Sequence, residues 1–470
     1  MTVSIGSILS TAKTAMQASQ TAVAVVSHNV ANAATEGYSR QRVQLTPGTP
    51  QYLPFGVVGT GVRVTDVERV RDALLDLGFR AETASAAFHE RRGDLLGQIE
   101  ALHGNITNAA LPTALDRFWN AWSDLANDPS SRTAHTLVQQ AGRNVVDQLR
   151  RLSGGLDRLA ATTVQDMGQD VLQLNALAQE VAALNTRILA AEAGGHTAGD
   201  HRDARDLAID KMARLADIQV VDRPDGTVAI NVDGINLVDG GDSSDVVLSA
   251  AGGTWSVVSA GGANIRVREG RIGAGLSVLN TDIAAARSGL DTFARELAIA
   301  VNTAHATGMN AAGQTNVLFF DDLGNPATIT AATLSLSAAV TADPMAIAAG
   351  SPATDPVSGL PVYGAARNDV ALLVAGLRNA PTAAYGGRSL SDGYLAEVGR
   401  IGTDVRTALD KAHVHGSLAA GVDTRRLSVS GVSIDEEMVA LIKFQNAYAA
   451  AARLVTAADE MMQTILEMKR

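Results

Sequence analysis

The chain contains no cysteine among its 470 residues. That absence removes disulfide frameworks, thiolate nucleophiles, iron–sulfur clusters and cysteine-ligated zinc together. Long runs of Lys or Arg are also missing, and the net charge is −11. An acidic chain without a basic run has no sequence-independent grip on phosphate backbones or anionic lipid, so nucleic acid is not an expected partner. No apolar stretch approaches the about 20 residues of a membrane span or the roughly 7–15 of a secretory signal, so no membrane insertion is expected. Export, if it occurs, uses a route that does not read such a signal. Aromatic residues are scarce at 4%, but hydrophobic residues reach 46%, enough to supply the cores of about three domains at this length.

Catalytic and ligand-binding signatures are missing as well. The histidines form no HExxH, and the close pair His413 and His415 lies two apart on an expected helix, which turns the rings to different sides. Ser10 and Lys13 have the spacing of a serine–lysine acyl enzyme, but no Lys-Thr-Gly follows and the segment reads as helix. Phosphate-cradling loops of the GxxxxGK[ST] or GxGxxG kind do not occur. Asp222, Asp225, Asp233 and Asp239 fall at strand ends and read as turn formers rather than calcium ligands. No catalytic residue, metal or cofactor is expected.

What is present begins with two seams. Leu9, Ala12, Met16, Ser19, Val23, Val26, Val30 and Ala33 follow at alternating steps of three and four, and Leu441, Phe444, Tyr448, Ala451, Val455, Ala458, Met462 and Ile465 repeat the pattern. Ser433 and Glu436 have capping-box spacing, so the last helix is expected to start near Ile434, with Asp435 and Glu436 in its first turn. Such narrow seams gain little alone. They need partners, either each other in an antiparallel terminal pair or other molecules.

Between the ends, the helical period runs from about Arg71 to Leu215, with turns expected at Gly154-Gly155 and Gly194-Gly195. From Ile218 to Val267 the period becomes two, in short segments separated by Asp-Gly and Gly-Gly turns. Helix returns over Leu276–His305, strands are expected at Val317–Phe320 and Thr333–Leu336, and helix resumes from about Asp392 to the end. The expected class is α+β and multi-domain. Paired terminal coiled-coil helices (1–40 and 434–470) flank a discontinuous helical-bundle domain (41–217 and 271–433) with a small β domain (218–270) inserted in it.

The first helix runs into SHNVANAATEGYSRQRV, where Asn29, Asn32, Thr35, Gly37 and Tyr38 fit N-x-x-N-x-x-T-x-G-[YF]. This resembles the start of the axial proteins of the bacterial flagellum, and Ser39-Arg40-Gln41 is similar to the ending found in the hook-associated protein 1 family. At the other end, Ser430-Gly431-Val432, Asp435-Glu436-Glu437, Phe444-Gln445 and Tyr448 resemble the same family. Weaker similarity covers FGVVGTGVRVTDVER, DPSSRTAH, RDLAIDKMARLADIQVVDRPDG and LAIAVNTAHATGMNAAG. Locally, Gly37 lets the chain leave the helix through a turn, Asn29 and Asn32 are placed to bond freed carbonyls, and Tyr38 is expected to pack its ring with its hydroxyl in water.

The resemblance implies a non-enzymatic structural protein, exported by the flagellar type III pathway and assembled as a ring of like subunits that joins hook to filament. Its implied partners are neighbouring copies, hook protein, the second junction protein (hook-associated protein 3), an export chaperone and the export apparatus. The implied assembly interface comprises Leu9, Met16, Val23, Asn29, Val30, Asn32, Gly37, Tyr38 and Arg40 at one end. At the other it comprises Asp435, Glu436, Leu441, Phe444, Gln445, Tyr448, Val455, Met462 and Ile465. The alternatives are another axial protein, such as a hook or rod subunit, and a secreted cell-wall hydrolase with a helical tail.

Overall fold

In the computed structural model, which describes residues 5–53, 56–104, 110–195 and 197–468, the first seam becomes α1 (Ile5–Asn32). The outermost residues of both terminal spans, 1–4 and 469–470, and Phe55 of the matched FGVV stretch lie outside the described residues. Beyond α1 the chain forms β1 (Gln41–Pro47), β2 (Gln51–Leu53), β3 (Gly56–Val58) and β4 (Val62–Arg69). β1 pairs antiparallel with β4, Val43 opposite Val67, and the β2–β3 hairpin lies between them in sequence. This arm is absent from the expected elements, although Val43 and Leu45 on one side and Val62 and Val64 on the other alternate with polar residues.

The helical body follows as α2 (Ala73–His103), α3 (Ala110–Asn127), α4 (Arg132–Glu192) and α5 (Gly199–Leu215). Asp72 caps α2 by accepting from the amides of Leu74 and Leu75. On α3, Leu111, Leu115, Phe118, Trp122 and Leu125 recur at helical spacing and are all buried. α4 passes uninterrupted through Gly154-Gly155, which corrects the turn expected there. The reason is a close approach: a Cβ at Gly155 would come 2.8 Å from Leu102 of α2. Glycine costs helix stability of about 1 kcal/mol, and here it lets two helices touch. Gly194-Gly195 does mark a turn, with Gly195 at φ +79°.

The β domain holds two antiparallel sheets. One is β5 (Gln219–Asp222), β6 (Val228–Val232), β7 (Ile235–Asp239) and β8 (Asp242–Ser243) in sequence order. The other orders β9 (Val246–Ala251), β10 (Thr254–Ser259) and β11 (Asn264–Ile265) with β10 in the middle. Asp233 and Gly234 both take positive φ, the two-residue turn whose twist matches a β-hairpin. Asn185 of α4 anchors the first sheet, donating to the carbonyls of Val228 and Gly240 and accepting from the Val228 amide.

Helix returns earlier than expected, at α6 (Gly270–Ser277), and passes through a π turn (Val278–Ile283) into α7 (Ala284–His305). The segments Val317–Phe320 and Thr333–Leu336 correct a second expectation: they share a single bridge, Phe320 to Leu336, instead of forming strands. Asn302 explains this, because its side chain accepts from the amides of Phe319 and Phe320 and donates to the Phe320 carbonyl, leaving no ladder to extend. After α8 (Ala338–Ala342), a two-residue hairpin of β12 (Ala353–Thr354) with β13 (Pro361–Val362) and α9 (Asp369–Gly376), two long helices close the chain. They are α10 (Leu390–Ser430) and α11 (Ile434–Met468), so the helix expected from Asp392 onward is broken at Gly431–Ser433. The result is a mixed α+β, multi-domain fold.

Candidate functional site

The terminal helices pair with each other. Gln20 reaches the Tyr448 hydroxyl at 3.5 Å and Asn29 reaches Glu437 at 2.9 Å, so rising numbers on α1 meet falling numbers on α11 and the pair is antiparallel. Small side chains fill the centre: Ala12, Ala18, Ser19 and Ala22 on α1, Ala451 and Ala458 on α11. Leu9, Met16, Val23 and Val30 are half-buried beside them, as are Leu441, Phe444, Tyr448 and Val455. At this register Ile5 lies opposite about Met462, and Met462 and Ile465 are exposed.

The base of the pair is a clasp built around Asn29, which is 1% exposed. Its Nδ2 donates to the Gln41 carbonyl and to Glu437 Oε2, both at 2.9 Å. Its Oδ1 accepts from the Tyr38 hydroxyl at 2.8 Å and the Gln41 amide at 3.0 Å. All four bonding positions of one amide are thus used, joining α1, β1 and α11. Tyr38 therefore corrects the expectation of a wet hydroxyl; burial pushes its pKa up, and the nearby carboxylates of Asp200, Asp203 and Glu437 push the same way. Asn29 also takes a strand carbonyl, not a freed helical one, while Asn32 donates to the His28 carbonyl one turn back and accepts from Thr35.

Gly37, at φ +79°, turns the chain out of α1, and a Cβ there would meet Leu207 at 3.1 Å. Arg40 then fastens the far helix, with Nε 2.7 Å from Glu437 Oε1 and Nη1 2.7 Å from Glu436 Oε2, while its amide donates to the Ser430 carbonyl. Glu437 is buried, and Glu436, Asp435 and Gln445 are exposed. Ser433 lies just before α11, its carbonyl accepting from the Glu437 amide and its hydroxyl from the Glu436 amide, which bears out the expected start.

Below the clasp lies a second cluster that sequence reading missed. The Ser39 amide donates to Asp203, Arg69 bridges Asp203 and Asp206, Arg71 bridges Asp206 and Asp76, and Asp210 receives both Arg80 and Arg426. Burial works to raise the pKa of Asp206, but Arg71, Arg69 and Arg80 outweigh it and hold the carboxyl below the usual range. Burial likewise works against the Arg71 charge, and Asp206 and Asp76 reverse the effect. Asp203, Asp206 and Asp210 recur at steps of three and four on α5, so three carboxylates on one buried helical face were the available signal. The arrangement joins the base of the terminal pair, through Ser39, to α2, α5 and α10. It fixes how a two-helix projection leaves a rigid body.

Comparison with known proteins follows the same division of the chain. Residues 96–320 match the helical domain of flagellar hook-associated protein FlgK, residues 424–468 the C-terminal region of flagellar basal body rod FlgEFG proteins, and residues 9–38 the flagella basal body rod protein family. Flagellar hook-associated protein 1 of Bacillus subtilis is 28% identical, over 97% of this chain and 97% of that one. The Escherichia coli protein of the same name is 22% identical, over 99% and 100%. The solved structure of the flagellar hook junction protein FlgK from Burkholderia pseudomallei superposes with a TM-score of 0.64 at 16% identity, covering 75% of this chain and all of that one, which is a likeness of fold. Along nearly its whole length, then, the chain is similar to flagellar hook-associated protein 1.

Proposed function

We propose that this exported structural protein of the flagellar junction assembles as a ring of like subunits between hook and filament, through its terminal helix pair. The family is a structural one, whose members are exported components of the bacterial flagellum. One observation carries the reading of the pair. α11 has a second apolar stripe, Val439, Ile442, Leu454, Met461 and Met468, that points away from α1 and is between 43 and 83% exposed. An isolated subunit gains nothing from five large apolar side chains held in water on one helix, whereas a neighbouring copy packed against them does.

In this reading the seam expected from sequence is used inside the subunit, and the opposite face is used between subunits. Hook protein below, the second junction protein above and an export chaperone complete the set of partners. The test is an Ile442→Asp, Met461→Asp double variant expressed in cells that lack the native copy. Hooks without filaments, and flagellin released to the medium, are expected. Normal filaments, with the variant confirmed at the junction, would place the subunit contacts elsewhere.

A further inference from the structure

The chain has no cysteine, so its sulfur chemistry belongs to its 10 methionines. Their placement is uneven. Among the described residues Met438, Met461, Met462 and Met468 are the exposed ones, and all of them stand on α11. Met167, Met212 and Met309 are buried in the body, and Met16 and Met345 are half-buried. A thioether reacts with peroxide where the oxidant reaches the sulfur, so α11 is open to oxidation and the body is shielded from it.

Two of the exposed methionines lie on the outward apolar stripe. Leu454, Met461 and Met468 follow one another about two turns apart, and so make one column on the face turned from α1. In a contact between copies a thioether is apolar, and its unbranched side chain adapts to an irregular surface. The sulfoxide is different. Its polar S–O group loses water on burial and needs a hydrogen-bond donor, which an apolar contact does not supply.

We propose that Met461 and Met468 form a reversible oxidation site that decides whether a free subunit joins its neighbours. The proposal rests on the outward stripe being the contact between copies. The oxidant is hydrogen peroxide. One peroxide oxygen bonds to the sulfur as the O–O bond breaks, the sulfur gives up two electrons, and the other oxygen leaves with both protons as water. A methionine sulfoxide reductase reverses the step, drawing two electrons from a pair of thiols, which become a disulfide, and releasing the oxygen as water. The site is open only before assembly, because a neighbouring copy then covers the column.

The test treats the purified full chain with millimolar hydrogen peroxide and then removes the oxidant. By peptide mass spectrometry, Met461 and Met468 should gain oxygen about tenfold faster than the buried Met167 and Met212. Added to isolated hooks from cells that lack the native copy, the oxidised chain should occupy about tenfold fewer hook ends than the untreated chain, and methionine sulfoxide reductase with dithiothreitol should restore occupancy. The Met461→Leu, Met468→Leu variant, compared with itself before and after peroxide, should lose less than about twofold, since leucine keeps the apolar volume without the sulfur. Equal oxidation of exposed and buried methionines, undiminished occupancy after oxidation, no recovery with the reductase, or an equal loss in the leucine variant would each overturn the proposal. Ile442→Asp, Met461→Asp separates it from the reading beneath it. If that variant stays off the hooks while the oxidised chain binds, the stripe is the contact and the oxidation site alone fails. If it binds as well as the parent chain, the contact lies elsewhere and both fail.

Discussion

The body of this protein and its terminal pair are both helical, yet they are held by opposite means. In the body, Phe118 and Trp122 of α3 meet Phe319 and Phe320 ring to ring, with centroids 5.5 to 6.2 Å apart, and all four are fully buried. Large rings remove much area from water, at about 25 cal/mol per Å², and need no second molecule. The pair is joined by alanines, with its larger seam residues half-buried, and the stripe on α11 remains in water. The contrast teaches where stability resides. The body is complete as a monomer, and the pair is completed by whatever covers it.

The largest effect that tests this contrast is a core truncation. Phe118→Ala should cost about 3–5 kcal/mol, because it removes a fully buried ring and leaves a cavity among four other aromatic side chains. Tyr448→Ala, in the half-buried seam, should cost about 1 kcal/mol or less. Urea unfolding of both purified variants gives the comparison directly. Equal costs would mean that the pair is as firmly packed as the body.

Acid offers a second way to separate the regions. His305 is buried in the body, its Nδ1 donating to the Val317 carbonyl at 2.7 Å and its Nε2 accepting from the Ala348 amide at 2.8 Å. The bond from Ala348 requires the neutral ring, and burial lowers its pKa from 6.5 to about 4. The unfolded chain takes up the proton first, so stability is full above about pH 6.5, declines as the pH falls towards 4 and levels off below that. One such group is worth roughly 3 kcal/mol over that window. His135, also lowered to about 4 by burial, acts in the same direction. Unfolding of His305→Gln between pH 7 and 4.5 should show a shallower decline than the parent chain.

Legibility followed the same division. Most helix positions, the short strands between 219 and 265 and the start of α11 were readable because each rests on local periodicity or capping, as Ser433 and Glu436 show. The turn at Gly154-Gly155 was misread because the reason for Gly155 is Leu102, some fifty residues away. The strands expected at 317–320 and 333–336 failed for a similar cause, since Asn302 of α7 takes the amides of Phe319 and Phe320. Within the clasp, Asn29, Tyr38 and Arg40 stood out in one motif and Glu437 in another, but that Asn29 and Arg40 both meet Glu437 did not, because it lies 408 residues from Asn29. Asn29→Ala tests that non-local knot. It strands the Tyr38 hydroxyl, the Gln41 backbone and one oxygen of Glu437 at once, and should loosen the pair by about 2 kcal/mol, since some of these groups can turn to water. Amide exchange in α1 and α11 should rise while the unfolding temperature of the body stays within a degree or so.

The smallest effect is expected where the pair faces outward, and its smallness carries the argument. Val439→Asp and Leu454→Asp each place a carboxylate on the second stripe of α11, at side chains that are 68% and 48% exposed. In the monomer the new charge stays in water, and the cost is limited to the lower helix propensity of Asp, about half a kcal/mol. Exchange rates along α1 should therefore hardly change, because α1 packs on the other face. In an assembled ring the same carboxylate would be buried unpaired, at a cost of several kcal/mol for each copy. A monomer that is unchanged by calorimetry and amide exchange, together with a ring that does not form, is the expected combination. If either substitution instead unfolds the α1–α11 pair in the isolated chain, the stripe belongs to the subunit's own packing, and the contrast between a complete body and an incomplete pair fails.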